Sequence, residues 1–547
     1  MPLSGSALAQ QSASEMKPLA VVALSGYDAL LEDVNFIGSL SGQPQLAQQV
    51  EQMIMLFTQN KGLVGFDKSK PVGAFVQTDG MSFNGALCIP VTSLQKLIEV
   101  LAPFGVTGED QGKGITKISV NGQGQTVFAR ESNGWALLAP MSQMLENLPA
   151  DPGPMFSSLT SDYDVGIRLH VQNIPEAYRQ LAMQQLQAGM EAGLQPLPGE
   201  SDEQFEQRKK MTGLQIEQLQ RAINEIDELT LGLAIDAEQQ RTLLDFTYTA
   251  VPDSQLAAQI AENSDPKTNF AGFFQPDAAM MMSFAAKVTE ADTAQVEQMF
   301  QAVRKQLKTA IDDEEDLPSD QAREVLKSAL DDFLDAFQAT LKAGLVDGGA
   351  VLNLAPDALT FVGGGFVGDP GKVESGLKKL VQLAKEEPDF PGIHWNAESH
   401  ADVNFHTLSV PIPADEKEPR QLFGDSVDMA IGIGKQSVFF ALGRDCLNAA
   451  KQVMDLSQAS LAKSVPPLEM TIALGQIMDV AASFADGDKK QKIEMVANML
   501  ANETNGRDHV RIVQQTVPHG IRVRIEAEEG VLRAIGMAAA QAQGAGL

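Results

Sequence analysis

The sequence has few residues of the types on which most enzymes and metal sites depend. Its 547 residues include two cysteines, six histidines, four tyrosines and two tryptophans. Two cysteines cannot form the disulfide framework of a small secreted domain, and the sequence leaves open whether Cys88 and Cys446 are bridged. We interpret both as buried thiols, since a free cysteine behaves as a small hydrophobic residue.

Several catalytic motifs and one class of partner are also missing. The chain has no Gly-x-Ser-x-Gly, no His-Glu-x-x-His and no Cys-x-x-Cys. Its formal net charge is −30, which repels phosphate backbones and anionic lipids, so nucleic acid is excluded as a partner. No run reaches the roughly 20 apolar residues that span a bilayer. Paired carboxylates stay open, because 71 acidic residues would hide any catalytic pair.

The first residues indicate export. Ser6-Ala7-Leu8-Ala9 precedes two glutamines and has the small-x-small pattern of a signal-peptidase site. We interpret residues 1–9 as a signal-peptide remnant and expect a periplasmic or cell-surface protein. The alternative is a disordered tail rich in Ala, Ser and Gln.

One pattern recurs along the chain: two strands joined by a tight turn, then a helix opened by Pro or Asp. Asn-Gly and Asp-Gly turns between alternating strands favour hairpins, and Pro or Asp suits the first turn of a helix. The six predicted hairpins span 72–89, 126–139, 229–250, 350–367, 428–442 and 509–525. Most are preceded by another strand and helix. The sequence therefore predicts an α+β fold of repeated β-α-β-β-α units, with mainly antiparallel sheets and helices on one face.

Two units contain longer helices, and two Pro-rich segments suggest boundaries. We predict helical hairpins pairing 175–193 with 202–227 and 293–311 with 319–343. Whether they project from the body or pack on it stays open. The predicted parts are an N-terminal α+β domain at 10–148, a linker at 149–161, a middle domain at 162–386 and a C-terminal domain at 393–547.

Three histidines, His394, His400 and His406, occur with Glu398 and Asp402 between them. Six residues of strand cover about 20 Å, so histidines at this spacing cannot share an ion on one strand. A turn near Glu398 could bring two of them together. Apolar residues hold the alternate positions, which predicts an amphipathic strand or hairpin with the histidines on its polar face.

Residues 362–372 resemble a phosphate-binding loop but depart from it in detail. Phe366 stands where the first glycine belongs, Val373 where a magnesium-binding hydroxyl belongs, and Pro370 removes a backbone amide. We predict a glycine-rich strand that enters a capped helix.

Three further features have ordinary structural interpretations. The acidic run 312–316 lacks the ligand spacing and glycine of a calcium loop, which favours a solvated hairpin tip. The run 280–282 of three methionines is interpreted as a buried strand rather than an adaptable binding surface. Cys446 lies at a predicted helix start, but Asp445 beside it argues against a nucleophile. The sequence predicts no catalytic, cofactor-binding or metal-binding residue and no cofactor.

Four segments resemble uncharacterised exported proteins of planctomycete bacteria. They are Ala-Val-Val-Ala-Leu-Ser-Gly-Tyr-Asp at 20–28, Pro-Val-Thr-Ser-Leu at 90–94, Arg-Leu-His-Val-Gln-Asn-Ile-Pro-Glu-Ala-Tyr at 168–178 and Thr-Ile-Ala-Leu-Gly at 471–475. The resemblance covers nearly the whole mature chain. It implies a signal peptide and a cell-envelope location, and it supplies no catalytic residues.

Three functions follow as hypotheses. The leading one is a non-enzymatic structural or partner-binding protein of the cell envelope, which self-associates or binds a protein partner. The second is a periplasmic carrier of an apolar ligand. The third is a hydrolase that uses buried carboxylates, which a deep pocket holding two converging Asp or Glu residues would reveal.

Overall fold

The computed structural model describes residues 16–120, 126–198, 200–314, 317 and 319–544, and this part of the chain has an α+β fold with 15 α-helices. Up to residue 250 the elements are β1 (Lys17–Leu24), α1 (Tyr27–Leu40), α2 (Leu46–Phe57), β2 (Val72–Thr78), β3 (Phe83–Pro90), α3 (Leu94–Leu101), β4 (Val106–Asp110), β5 (Ile115–Val120), β6 (Thr126–Ser132), β7 (Trp135–Ala139), α4 (Gly153–Thr160), β8 (Val165–His170), α5 (Glu176–Ala192), α6 (Asp202–Glu225), β9 (Ile226–Asp236) and β10 (Arg241–Ala250). The remaining elements are α7 (Gln255–Glu262), β11 (Lys267–Thr268), β12 (Met280–Lys287), α8 (Glu290–Asp313), α9 (Asp320–Lys342), β13 (Leu345–Ala355), β14 (Ala358–Phe366), α10 (Pro370–Ala384), β15 (His394–His400), β16 (Val403–Pro411), α11 (Lys417–Phe423), β17 (Ser426–Ile433), β18 (Ser437–Gly443), α12 (Cys446–Gln458), β19 (Lys463–Ser464), β20 (Leu468–Ala473), α13 (Leu474–Phe484), α14 (Gly487–Glu503), β21 (His509–Val517), β22 (Gly520–Glu528) and α15 (Glu529–Gly544).

The chain folds into two compact units. Unit 1 contains the described residues up to Ala188 together with Ala222–Ala250. Unit 2 contains Gly189–Arg221 and the described residues from Val251 onward. Segment 149–161, which its composition presents as a linker, contains α4, and Phe156 and Leu159 of that helix are fully buried in the core of unit 1.

Ten antiparallel strands form the ladder of unit 1. Neighbouring strands follow the order β4-β5-β6-β7-β3-β2-β1-β8-β9-β10. The pairs β2–β3, β4–β5, β6–β7 and β9–β10 are joined by short turns, whereas β1 lies between β2 and β8. The first strand of the unit is therefore central, and hydrogen bonds satisfy both of its edges.

The described part of unit 2 also contains a ladder of ten antiparallel strands. Their order is β15-β16-β17-β18-β14-β13-β12-β20-β21-β22. The short strands β11 and β19 form a separate pair. Here β12 is the central strand, between β13 and β20.

All six predicted hairpins are present as antiparallel pairs. The turn between β6 and β7 shows why the sequence specified them. Asn133 and Gly134 adopt φ values of 51° and 80°. Both residues accept positive φ at low cost, and this turn geometry matches the twist of the two strands.

Helices cover both faces of the sheet in unit 1, so the prediction of helices on one face only is wrong there. In β7, Trp135 and Leu137 belong to one core cluster, together with α4. Ala136 belongs to a second cluster, together with α3. The physical reason is the unbroken apolar sequence of β7, which is typical of a strand buried on both faces.

The same arrangement occurs at one end of the unit 2 sheet. Phe405 of β16 and Ala430 of β17 pack in a core cluster with Ala450 and Val453 of α12. The neighbouring residues of the same strands, His406 and Leu408 of β16 and Met429 and Ile431 of β17, lie on the opposite face, beneath α10. Successive side chains of a strand point to opposite faces, so this end of the sheet lies between two helices.

Candidate functional site

A cavity of about 190 Å³ lies beneath α10 in unit 2. The helix forms one wall, and β16 and β17 form the floor. Its lining residues are Leu377, Leu380, Val381, Ala384, Phe390, Ile393, His406, Leu408, Met429 and Ile431. All of these side chains except that of His406 are apolar. A concave apolar surface with a single polar group is typical of sites for small molecules.

A local irregularity of the β15–β16 hairpin fixes the orientation of His406. The pairing of the two strands shifts between His394 and Glu398. Within this bulge Asn396 adopts a φ of 50°, and its backbone N–H donates a hydrogen bond of 3.0 Å to Nδ1 of His406. Because Nδ1 accepts this bond, the proton of the neutral imidazole resides on Nε2.

Nε2 of His406 is a buried donor without a hydrogen-bond partner among the described residues. The residue is 1% exposed. An unpaired buried donor costs about 1–3 kcal/mol of stability. Burial lowers the pKa of His406, Glu374 raises it and Lys378 lowers it, so the net shift is downward and the ring is neutral at pH 7. The neutral imidazole is therefore enclosed by the protein, and its Nε2–H does not reach the open volume of the cavity.

An aromatic side chain and an ion pair lie next to this histidine. The rings of Trp395 and His406 form a T-shaped pair, with centroids 4.8 Å apart and an interplanar angle of 65°. Nζ of Lys378 lies 5.7 Å from the centroid of Trp395 and 2.6 Å from Oε1 of Glu374. Since the sequence contains only two tryptophans, the emission of Trp395 can report on the cavity.

A buried aspartate attaches α10 to α9. Asp332, which is 6% exposed, accepts hydrogen bonds from the hydroxyl of Ser375 and from the ammonium groups of Lys372 and Lys379. Burial alone would raise the pKa of Asp332, but these donors outweigh it and hold the pKa at about 2. The ionised carboxylate of Asp332, with all of these donors paired to it, thus holds α10 in place as the wall of the cavity.

The three histidines of the sequence pattern do not converge. His394 is exposed on β15, and Nε2 of His400 lies 2.7 Å from Oδ1 of Asp455. The turn that separates the strands is at Ala401 and Asp402, three residues beyond the predicted position. His406 is buried, so its predicted place on a polar face is wrong. No three His, Cys, Asp or Glu side chains in the described part are arranged to hold a metal.

The glycine-rich segment forms the predicted strand and capped helix. It comprises β14 and the start of α10, where the side chain of Asp369 accepts from the backbone N–H of Lys372. The ammonium group of Lys372 lies 3.2 Å from both Asp332 and Asp335, which neutralise it. A side chain at Gly364 would clash with Phe439. The glycine at this position therefore serves close packing.

The remaining sequence candidates also have structural roles. Cys88 and Cys446 are free and buried, and burial raises the pKa of their thiols to about 12 and about 11. Met281 is buried in β12, in agreement with the predicted strand. In the acidic run 312–316, residues 315 and 316 lie outside the described residues, and Asp312 forms an ion pair with Lys327.

Two carboxyl groups meet in unit 1. Burial, the neighbouring charges of Asp164 and Glu32 and a hydrogen bond with Asp164 together raise the pKa of Asp33 to about 7. The protonated Asp33 therefore donates to Asp164, which also accepts from the hydroxyl of Ser25 and the backbone N–H of Ile235. Neither carboxyl lines the α10 cavity. The pair resembles a shared-proton arrangement more than an acid–base couple facing a substrate.

Sequence reasoning missed the cavity because His406 was assigned to the wrong face. Val403 and Phe405 lie on the opposite face from His406, and their apolar character suggested that only that face of the strand is buried. The sequence did contain a signal that the His406 face is buried as well, because the apolar residues Leu408 and Val410 follow His406 at the same two-residue spacing. An apolar residue at every second position on both faces is typical of a strand covered on both sides.

Comparison with known proteins gives no relative: no family model, no curated protein and no solved structure matches the chain. None of the described helices combines the length and apolar character needed to cross a membrane.

Proposed function

We propose that this chain is an exported, non-enzymatic binding protein of the cell envelope, and that it holds a small apolar molecule beneath α10. The observation that carries the proposal is the cavity of about 190 Å³ beneath α10, whose lining residues are all apolar except His406. An apolar cavity of roughly 150 Å³ is large enough for benzene. The proposed ligand is therefore about the size of one ring. This is the carrier hypothesis, which ranked second on the sequence alone.

Toluene is a suitable probe for this proposal, with the emission of Trp395 as the signal in a Trp135→Phe background. We expect saturable binding in the unaltered site. Ala384→Leu should abolish it because the larger side chain fills the cavity, whereas Gln382→Leu on the exposed face of α10 should not. Absence of binding, or equal loss in both variants, would overturn the proposal.

The cell-envelope location rests on the pattern at residues 6–9 and on the resemblance to exported planctomycete proteins. Cell fractionation with an antibody against the chain tests it. We expect recovery from the periplasmic or surface fraction. Recovery from the cytoplasm alone would remove this part of the proposal.

A protein partner is the second candidate function, and the end of α2 favours it. The helix has no buried residue, and Leu56 is 76% and Phe57 54% exposed. Phe57 lies 6.1 Å from Phe104, which is 45% exposed. Contiguous exposed apolar side chains of this kind mark protein interaction sites. We propose a different protein rather than a second copy, because two chains of net charge −30 repel each other.

Sedimentation and crosslinking test this second candidate. The purified chain should sediment as a monomer. A stoichiometric partner crosslinked in envelope fractions should be lost in Leu56→Glu and kept in Gln52→Glu, which adds the same charge at another exposed position on α2. Self-association, or no crosslinked partner, would contradict it.

We also propose that the chain is built from four β-α-β-β-α repeats with helical hairpins in the first-helix position. The order of elements supports this. The four sets are β1-α1-α2-β2-β3-α3, β8-α5-α6-β9-β10-α7, β12-α8-α9-β13-β14-α10 and β20-α13-α14-β21-β22-α15. The strands of the first two sets lie in unit 1 and those of the last two in unit 2, so the two ladders of strands would be copies of each other. A crystal structure whose units superpose strand for strand would support the proposal, and units with different strand pairing would refute it.

A further inference from the structure

One face of the sheet in unit 1 exposes a continuous apolar surface. We propose that this surface binds the acyl chain of a lipid whose head group has no net charge, and that α5 closes over the chain. The site shares no residue with the cavity beneath α10, so the two proposals can fail separately.

Six strands contribute one row of directly opposed side chains to this surface, which we call the open face. The central row is Leu87, Ala74, Val22, Ile167, Leu231 and Phe246, in β3, β2, β1, β8, β9 and β10. Directly opposed residues point to the same face of a sheet. The flanking rows are Gly85, Val76, Ala20, Leu169, Leu229 and Tyr248 on one side and Val72, Leu24, Val165, Leu233 and Leu244 on the other. The hydroxyl of Tyr248 is the only polar side-chain group in these three rows.

The open face is apolar and yet accessible to solvent. An antiparallel sheet normally carries polar residues on a face that meets water. Here six side chains are between 39% and 45% exposed, namely Val76, Leu87, Ile167, Leu231, Leu244 and Phe246. Contiguous exposed apolar side chains of this kind mark a binding surface.

Both faces of these strands are apolar, but helices cover them unequally. On the opposite face Val21, Ala23 and Phe75 are buried in one core cluster with α4. On the open face α3 covers only one end, where Leu138, which pairs with Leu87, packs against the α3 cluster. Strands that are apolar on both faces are typical of sheets covered on both sides. The rest of the open face therefore lacks its cover.

Helix α5 is placed to supply that cover. The rings of Tyr178, in its first turn, and Phe83 form a T-shaped pair with centroids 5.2 Å apart. Phe83 lies four residues before Leu87 in β3, so it points to the open face. Tyr178, Leu181 and Leu186 form an apolar stripe on α5 and are 50%, 50% and 39% exposed. No residue of this helix is buried. Two uncovered apolar surfaces thus meet at one edge.

This arrangement favours a hydrocarbon chain over a protein as the occupant. A ligand enclosed between a helix and a sheet has to be thin. A protein partner would bring a polar rim and about ten hydrogen bonds to its interface, whereas the three rows offer one hydroxyl. Hydrocarbon requires no hydrogen bond, because its burial is driven by the removal of apolar surface from water.

The length of the central row also suits an acyl chain. The row crosses five gaps between neighbouring strands, each of about 4.8 Å, so it is about 24 Å long. The hydrocarbon core of a bilayer is about 30 Å thick, which leaves about 15 Å for the chain of one leaflet. A membrane lipid chain therefore fits along the row.

Charge restricts the head group. The net charge of −30 repels anionic lipids. A pocket of about 300 Å³ adjoins the open face at Thr78, which pairs with Phe83. The charged residues that line the pocket are Lys17, Asp79, Glu176 and Arg179. Two cations and two carboxylates suit a zwitterionic head group, whose two charges can each face an opposite one.

The test titrates the full chain with palmitoyl lysophosphatidylcholine, kept below its micellar concentration, by calorimetry. We expect saturable binding. Leu231→Glu should weaken it about tenfold or more, because a carboxylate in the central row loses its hydration against the acyl chain. The control is Leu461→Glu, the same change at a 63% exposed position of unit 2, which should leave the affinity unchanged.

Two further variants test the role of α5. Leu181→Glu in the apolar stripe should weaken binding about fivefold, since the carboxylate meets the bound chain when the helix closes. Gln184→Glu adds the same charge at an exposed position on another side of α5 and should have no effect. Equal affinities for Leu181→Glu and Gln184→Glu would remove α5 from the site.

Each remaining outcome decides between this inference and its alternatives. Absence of binding, or equal weakening by Leu231→Glu and Leu461→Glu, would overturn the inference. Self-association that Leu231→Glu abolishes would mean that a second copy covers the open face, which also overturns it. Palmitoyl lysophosphatidate binding as tightly as the zwitterionic lipid would overturn the head-group assignment. Ala384→Leu, which fills the cavity beneath α10, should not change lysolipid binding, so failure of the proposed function is seen separately with toluene.

A second measurement covers the case in which Leu231→Glu does not fold. The unaltered protein is irradiated with a lysophosphatidylcholine that carries a diazirine in its acyl chain, and the labelled peptides are identified by mass spectrometry. We expect labels in β8, β9 and β10. Labels confined to α10, β16 and β17 would place the chain in the other cavity and overturn the inference.

Discussion

Two helices occupy the same place in the element order of their units, yet the space beneath them differs. Helix α3 follows the hairpin β2–β3 in unit 1, and α10 follows β13–β14 in unit 2. Beneath α3, Leu94 and Leu97 pack against Ile118 and Ala129 in a cluster of buried apolar residues. Beneath α10 there is a cavity with a buried histidine.

The comparison shows that a helix can occupy this position in the fold without a cavity beneath it. The cluster of unit 1 shows that a helix in this position can pack on the sheet through buried apolar side chains alone. The cavity of unit 2 is therefore not imposed by the topology. A place where packing and hydrogen bonding are both incomplete, in an otherwise consistent fold, is where a functional site is expected.

Truncation of one leucine in each unit is expected to give the largest contrast. Leu97→Ala should lower the free energy of unfolding by about 3 kcal/mol, since Leu97 is 8% exposed and its truncation leaves a new cavity in a buried apolar cluster. Leu380→Ala should cost about half as much, because Leu380 already borders a cavity and loses fewer contacts. Chemical denaturation of both variants measures the difference. Equal losses would mean that the two spaces are equally packed.

Neutralising Asp332 should loosen α10 and leave α3 unchanged. Asp332→Asn keeps the shape of the side chain and removes the charge that pairs with Lys372 and Lys379. We expect a loss of about 2 kcal/mol, less than for a fully buried ion pair because both lysines reach solvent. Hydrogen exchange should accelerate in 370–384 and not in 94–101. Faster exchange in both helices would point to a global effect.

The same aspartate should make α10 sensitive to strong acid. Its pKa is lowered to about 2 in the folded chain, so the stabilisation is present above the unfolded pKa of about 3.9 and is lost as the pH falls through 2. Asp332→Asn should remove this part of the acid response.

Replacing the buried histidine should stabilise the protein slightly. His406→Leu removes an unpaired donor and adds apolar contacts, while the freed N–H of the exposed Asn396 can bond to water. We expect a gain of about 1 kcal/mol at pH 7. The control is Val403→Leu on the opposite face of the strand, where a larger side chain should destabilise a filled core. Loss of stability in His406→Leu would contradict the account of an unpaired donor.

The smallest expected effects are two changes in the free energy of unfolding with pH. They have opposite signs, and one arises in each unit. The pKa of His406 is lowered on folding, so its neutral form is stable above the unfolded pKa of about 6.5, and stability is lost as the pH falls below that value. The pKa of Asp33 is raised to about 7, so its protonated form stabilises unit 1 at low pH, and that stability is lost as the pH rises towards 7.

Denaturation at several pH values between 4 and 8 checks both slopes. His406→Leu should flatten the loss of stability below pH 6.5, and Asp33→Asn should flatten the loss towards pH 7. If either variant keeps the slope of the unaltered protein, the group named here is not its source.

The sequence predicted local structure better than the site, and individual residues show why. Asn133-Gly134 specifies a turn by its own backbone preferences, and Asp369-Pro370 specifies a helix start in the same way. The pairing of β8 with β1 and of β20 with β12 joins segments that are far apart in the chain, which local patterns cannot predict. The cavity likewise depends on the long-range pairing of β14 with β18, because α10 follows β14 and must pack on β16 and β17 before His406 is buried.

Xenon bound in a pressurised crystal is the most direct test of the central contrast between the two units, since xenon enters apolar cavities and needs no functional group. The account predicts one xenon atom beneath α10, among Leu380, Met429 and Ile431, and none beneath α3. Xenon beneath α3, or its absence beneath α10, would contradict the account.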